Sequence, residues 1–309
     1  MAQVDDVIRH RLTSDVALVN QISRYIIEAG GKRIRPRLVL LFASALGFAG
    51  PERFTLAAIV EFIHTATLLH DDVVDESALR RGRETANAMF GNAASVLVGD
   101  FLYSRAFQMM VSLDRMRVLD VLADATNVIA EGEVLQLMNM HDPDIAVEDY
   151  LRVIRFKTAK LFEASARLGA ILAEVPAEVE EACAAYGRSL GTAFQLVDDL
   201  LDYEGDSSRL GKNVGDDLRE GKPTMPLLLA MQGGTAAERE LIRSSIEQGE
   251  VAGLQAIVDV VRRTGALDAT RSAARAEAAR ARECLGLVPD SMHRAALLEL
   301  CLRSVDRSS

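Results

Sequence analysis

Apolar residues follow helical spacing along almost the whole chain, and no run shows sustained alternation of apolar and polar positions. Asn-Gly and Asp-Gly hairpin turns are missing, and Ala, Leu, Arg and Glu, all abundant here, are good helix formers. The pattern therefore predicts an all-α protein. Prolines stand at Pro36, Pro51, Pro143, Pro176, Pro223, Pro226 and Pro289, spacings that suit helix ends rather than middles. Loops are predicted at 30–35, 47–52, 80–84, 141–147, 174–177, 204–224 and 232–236. The longest of these is rich in Gly, Asp and Lys, and long loops inside compact domains are usually functional or disordered. No Ser/Gly- or Pro-rich linker divides the sequence, so residues 1–309 read as one large helical domain. Residues 266–283 are rich in Ala, Arg and Glu and are expected to form a solvated outer helix.

Two helical segments depart from the usual amphipathic pattern. In 57–75, AAIVEFIHTATLLHDDVVD, the polar residues Glu61, His64, Thr67, Asp71 and Asp75 fall every three or four positions, one stripe on an otherwise apolar helix. In 191–202, GTAFQLVDDLLD, Gln195, Asp198 and Asp202 share a face in the same way. A wetted helix edge explains one such stripe. Two, each carrying D-D-x-x-D (Asp71-Asp72-x-x-Asp75 and Asp198-Asp199-x-x-Asp202), point instead to core helices lining a polar cavity. Carboxylates one turn apart repel by a few tenths of a kcal/mol. They suit Mg²⁺, which accepts one or two protein carboxylates and completes its shell with water and phosphate oxygens.

Charge and composition narrow the partners. The chain carries 35 basic against 45 acidic residues, a formal net charge of −10, which argues against a nucleic-acid binder. Local cation clusters still permit small anionic ligands. Only five basic residues are lysines, and four of them (Lys32, Lys157, Lys212 and Lys222) sit in polar or Gly-rich contexts: GGKRIRP, RFKTA, LGKNVGDD and EGKPT. In the first of these, Gly30 and Gly31 free the backbone, Lys32, Arg33 and Arg35 cluster, and Pro36 opens the next helix. Arg80, Arg81 and Gly82 follow the first acidic cluster. Carboxylates for metal, cations for phosphate oxygens and apolar walls together describe a site for greasy diphosphates. Three cysteines without a CxxC pair suggest a reduced, cytoplasmic setting. The acidic N-terminus does not read as a signal peptide, and long uncharged stretches such as 38–51 and 85–99 are short of a membrane span. No basic amphipathic anchor is visible, so membrane contact is expected to be transient at most.

With these residues in view, the sequence resembles the all-trans polyprenyl diphosphate synthases, which elongate isoprenoids head to tail. The likeness is strongest to the bacterial octaprenyl diphosphate synthases that supply quinone side chains. It rests on GGKRIRP, EFIHTATLLHDDVVDESALRRG, GNAASVLVGDF, AEGEVLQL, RFKTAKLFEASARLG, GTAFQLVDDLLDY and GKNVGDDLREGKPTMPL, which run in family order through residues 30–227. The segment before Gly30 is shorter than usual, which implies a trimmed first helix, and the part after Gln232 carries little motif content.

The resemblance implies an isoprenoid-synthase helical bundle around a central cavity, a homodimer, and roles for individual residues. Asp71, Asp72 and Asp75, with Asp198, Asp199 and Asp202, are implied as Mg²⁺ ligands, directly or through water. Lys32, Arg35, His64 and Arg81 are implied to bind isopentenyl diphosphate. Arg80, Lys157, Thr158, Gln195, Lys212 and Lys222 are implied to bind the allylic diphosphate. Of these, Asp71, Asp75, Asp198, Lys157 and Lys212 would carry catalysis. His70 lies off the stripe and reads as structural. Small residues at Ala66 and Thr67, just before the first acidic motif, imply a long product, with Phe107, Met109 and Met110 as candidates for the tunnel floor. The expected reaction joins an allylic diphosphate, farnesyl diphosphate for preference, to successive isopentenyl diphosphates. The expected product is octaprenyl diphosphate, with the solanesyl and decaprenyl lengths as alternatives. A terpenoid cyclase is disfavoured by the second all-aspartate motif and by GGKRIRP. A non-catalytic subunit of a heteromeric synthase is disfavoured because both motifs are intact. An inert helical scaffold would bind no diphosphate with Mg²⁺.

Overall fold

The structure is a computed structural model that describes residues 1–28, 30–80, 82–204 and 215–306. Helices carry nearly all of its regular structure, as the apolar spacing predicts. The only strands among the described residues are a two-residue antiparallel pair, Leu79–Arg80 and Arg83–Glu84, inside a predicted loop. The chain divides into two compact units, residues 1–126, 161–187 and 285–297 in the first, and 127–160, 188–284 and 298–309 in the second.

The first unit is built on α3 (Ile34–Ala45), α4 (Glu52–Val74) and α6 (Asn92–Ser112), with α1 (Ala2–Arg11), α2 (Ala17–Glu28) and the short α5 (Ala86–Phe90) around them. The segment before Gly30 thus folds as two helices. Helix α4 packs on α3, α1, α5 and α6. That is why it is apolar nearly all round: Leu56, Ile59, Val60, Phe62, Ile63 and Leu69 are all fully buried. Phe42 of α3 meets Tyr186 edge-on at 5.1 Å between ring centroids. Helix α9 (Lys160–Leu172) lies against α3 at Gly169, where a Cβ would come within 2.8 Å of the Ala43 nitrogen. Pro36 is the third residue of α3, not its first, so Arg35 sits inside the first helical turn and Arg33 precedes it with positive φ.

The second unit includes residues 127–139 of α7 (Met116–Asn139), α8 (Val147–Ile154), a π-helical turn at Arg155–Ala159 and the C-terminal part of α10 (Ala177–Glu204). The helix Met225–Gly233 packs against α8 and the helices Ala236–Gln248, Leu254–Arg263 and Ala266–Cys284. Its core holds Leu200, Tyr203, Leu218, Leu227, Ile242, Ile257 and Val261, and a neighbouring cluster joins Tyr150, Ile154, Leu196, Val197, Leu201 and Leu228. The helix Ala266–Cys284 is exposed along one face, as expected of an outer helix, but it is not solvated all round. It buries Ala266, Leu267, Thr270, Ala274, Ala278 and Ala281, and small side chains at this spacing let it pack closely on Met225–Gly233.

Candidate functional site

In the first unit, the polar stripe of α4 is real. His64, Thr67, Asp71 and Asp75 are half-buried, while Thr65, Ala66, Leu69 and Asp72 between them are buried. The basic loop before α3 docks on this stripe. Arg33 pairs with Glu61 at 2.6 Å, and Arg35 Nη1 lies 3.1 Å from His64 Nε2. A guanidinium can only donate, so Nε2 accepts and the ring proton of His64 is on Nδ1. Arg35 also lies over the Phe162 ring, 4.4 Å from its centroid, which holds the guanidinium in a fixed plane. Arg33 is thus a strut for the loop, Arg35 and His64 are joined, and Lys32 is exposed beside them.

The two outer aspartates of the first motif differ from the middle one. Asp71 and Asp75 lie on the half-open stripe, whereas Asp72 is fully buried and takes the Arg80 Nε proton at 2.7 Å. Burial raises the Asp72 pKa above the usual carboxylate range, with Arg80 pulling the other way. The C-terminal end of α4 is fastened by Asn87, which donates to the Asp72 carbonyl, and by Ser95, which donates to the Leu69 carbonyl. His70 stacks on Tyr103 and approaches the Val96 carbonyl at 3.2 Å, a packing role as expected.

Of the product-length positions, Ala66 is fully buried in α4 and Met110 is buried in α6, the helix that α4 packs against. Thr67 is half-buried and donates its hydroxyl back to the His64 carbonyl. Phe107, one turn before Met110 on α6, is 37% exposed, whereas Met109 and Met110 are buried.

The second unit repeats the pattern at the end of α10. Gln195 and Asp198 are half-buried, Asp202 nearly closed, and the middle aspartate, Asp199, is 4% exposed. Both Asp199 oxygens are occupied by donors. Tyr150 gives its hydroxyl proton to Oδ2 at 2.5 Å, and Gln195 Nε2 donates to Oδ1 at 2.7 Å. That fixes the Gln195 amide, whose Oε1 accepts from the Thr158 hydroxyl at 3.0 Å. Burial first, then the Asp217 carboxylate, push Asp199 up to about 7 against the pull of these hydrogen bonds. Lys157 pairs with Glu133 at 2.7 Å, and Lys222 pairs with Glu220. Lys222 is also held through its backbone, donating to the Asp217 carbonyl at 2.8 Å.

Arg81 and Lys212 lie outside the described residues. The structure adds Tyr150, Asp217 and Glu133, which the sequence reading left unassigned. Asp217 stood within the quoted GDD run, and Glu133 within AEGEVLQL. Tyr150 carried no spacing signal.

The donor set fits a hard cation. Asp72 Oδ2 is buried and, among the described residues, accepts no hydrogen bond, and every acidic donor here is a carboxylate oxygen. Among the described residues no three His, Cys, Asp or Glu side chains stand close enough to hold a metal by themselves. Such a set suits an ion whose shell is completed by water and phosphate oxygens.

Comparison with known proteins agrees with this chemistry. Residues 16–261 match the polyprenyl synthetase family. The chain is 56% identical to octaprenyl diphosphate synthase of Escherichia coli over 308 residues, covering 99% of this chain and 95% of that protein. It is 48% identical to all-trans-nonaprenyl-diphosphate synthase (geranyl-diphosphate specific) of Rhodobacter capsulatus, over 99% and 94% of the two chains. Among solved structures, a polyprenyl synthase from Caulobacter crescentus complexed with calcium and isoprenyl diphosphate superposes with a TM-score of 0.97 at 47% identity, covering 100% of this chain and 95% of that one. With two thirds and more of its length matched by family and relatives alike, this chain belongs to the polyprenyl synthetase family.

Proposed function

We propose that this protein is a trans-polyprenyl diphosphate synthase that extends an allylic diphosphate, farnesyl diphosphate for preference, with successive isopentenyl diphosphates to octaprenyl diphosphate. The observation that carries the reading is the α4 stripe. Carboxylates at Asp71 and Asp75 lie on one stripe with His64, and Arg35 of α3 joins His64 there, so metal ligands and an anion site are built side by side.

Mg²⁺, held by Asp71, Asp75 and Asp198, with Asp72, Asp199 and Asp202 behind them and acting through water, would supply Lewis-acid charge to the departing diphosphate. The chain's own cations act with it. Lys157 and Lys222, with Thr158, Gln195, Arg80 and Lys212, bind the allylic diphosphate and stabilise the charge that grows as the allylic C–O bond breaks. Lys32, Arg35, His64 and Arg81 hold isopentenyl diphosphate, whose double bond attacks the allylic carbon. A C–C bond forms, and the proton lost from the new chain passes to the released diphosphate. Buried apolar side chains of α4 and α6 exclude water that would quench the cation. Small Ala66 and Thr67 leave room for a long chain above Met110. Neither residue set suffices for this chemistry, so the whole chain is read as one polyprenyl synthase domain.

The octaprenyl length is favoured by the identity to octaprenyl synthases. The nonaprenyl synthase at 48% and a decaprenyl diphosphate synthase of Rhodobacter capsulatus at 47% support the longer products as the second reading. A homodimer is supported by Leu97 and Val111, each 67% exposed on α6. Free thiols at Cys183, Cys284 and Cys301 support a cytoplasmic setting. No helix among the described residues is long and apolar enough to cross a membrane. The test is incubation of the purified protein with farnesyl diphosphate, labelled isopentenyl diphosphate and Mg²⁺, with chromatography of the dephosphorylated products. Octaprenol supports the reading, solanesol or decaprenol supports the alternative, and no elongation overturns both.

A further inference from the structure

The AEGEVLQL run lies on α7 and supplies none of the proposed substrate or metal ligands. Its Gly132 marks a backbone-to-backbone contact. A Cβ there would come within 2.6 Å of the Lys157 nitrogen and 2.9 Å of the Phe156 carbonyl carbon. Backbone atoms cannot swing aside as a flexible side-chain end can, so only glycine lets α7 seat against the π turn. The next residue, Glu133, places Oε2 at 2.7 Å from Lys157 Nζ. The turn it reaches, Arg155–Ala159, is π-helical, an irregularity that recurs at functional sites, and it carries both Lys157 and Thr158.

We propose that Glu133, seated by Gly132, is a positioning residue that holds the Lys157 ammonium aimed for allylic ionisation before substrate arrives. The proposal rests on the reading of Lys157 as a ligand of the allylic diphosphate. A lysine on a flexible four-carbon stem gains most from such fixing, because charge stabilisation works when the donor is preorganised. The ammonium has three donors and Glu133 takes one of them. The pairing has an opposite effect on ground-state binding, since a carboxylate beside the lysine offsets part of its attraction for an anion. Removing the charge of Glu133 should therefore lower kcat while leaving the allylic KM unchanged or lower. A residue needed only for folding would not produce that split.

The experiment is a double-variant cycle on the full-length enzyme with Mg²⁺, reading the single-turnover rate of the first condensation and the allylic KM. Glu133→Gln is expected to slow the step about 10-fold without raising KM. Lys157→Ala is expected to slow it more, and adding Glu133→Gln to Lys157→Ala should cost nothing further. Glu133→Asp, which keeps the charge one methylene short, should fall between parent and Gln variant. Gly132→Ala should follow Glu133→Gln in kcat, and if it does not fold, the Glu133 arms decide alone. An unchanged rate in Glu133→Gln, or losses that multiply in the double variant, overturns the proposal. An active parent whose rate survives Lys157→Ala overturns the role of Lys157 and this inference with it. A parent that elongates nothing overturns the proposed function itself.

Discussion

Replacing Asp199 by Asn isolates the electrostatic strain of the second acidic motif. The carboxyl titrates at about 7 instead of 3.8 because burial and Asp217 disfavour its charge. The folded state therefore binds more protons than the unfolded one between those two values. Stability from this group is intact below pH 3.8, falls as pH rises through the window, and is flat above about 7. The displacement corresponds to a few kcal/mol, on the order of half of it lost between pH 5 and pH 8. Asn cannot ionise, and it keeps an oxygen for Gln195 Nε2 while its amide faces the Tyr150 hydroxyl. Scanning calorimetry of both proteins in EDTA, at pH 5 and pH 8, reads the effect. The variant should gain on the parent by a few kcal/mol, on the order of several °C in Tm for a chain of this size, as pH rises. A Tm gap that stays constant from pH 5 to pH 8 would refute the reasoning, whatever its size.

Three further outcomes follow from the first unit. Arg80→Met strands the buried Asp72 and should destabilise the protein by about 3 kcal/mol, with Asp72→Leu added to it recovering much of the loss; urea titration of the apo protein decides. Arg35→Lys loses the planar fork over Phe162 and the contact to His64. It should raise the isopentenyl diphosphate KM on the order of 10-fold and leave the allylic KM alone, as steady-state kinetics would show. Ala66→Tyr fills a fully buried site at an overpacking cost of about 1–3 kcal/mol. It should shorten the product while turnover persists, and identical product lengths in parent and variant would place the chain elsewhere.

Much of this was legible in the sequence for a specific reason. Helix α4 needs apolar residues on every face that packs, so its one polar stripe announces itself through spacing alone. The same holds for Gln195, Asp198 and Asp202 on α10. What spacing does not reveal is which member of D-D-x-x-D turns inward. Asp72 and Asp199 are adjacent in sequence to the open Asp71 and Asp198, yet they are buried and bound to protein donors. Their partners Arg80 and Tyr150 lie 8 and 49 residues away, and only the fold brings them in. In residues 266–283 most of the Arg and Glu positions mark the solvated face, while the small Ala positions let the helix approach a neighbour closely. Gly132 was visible as a glycine in a helix, but the reason for it, the Lys157 backbone, was not.

On the proposed function, both aspartate motifs take up diphosphate together with Mg²⁺. Calorimetric titration of a bisphosphonate into the purified protein, with and without Mg²⁺, reads this uptake, repeated on Asp71→Asn and Asp198→Asn. Tight binding should require Mg²⁺ and fall at least 10-fold in each variant. Binding that is indifferent to the metal, or that survives both substitutions, would contradict it.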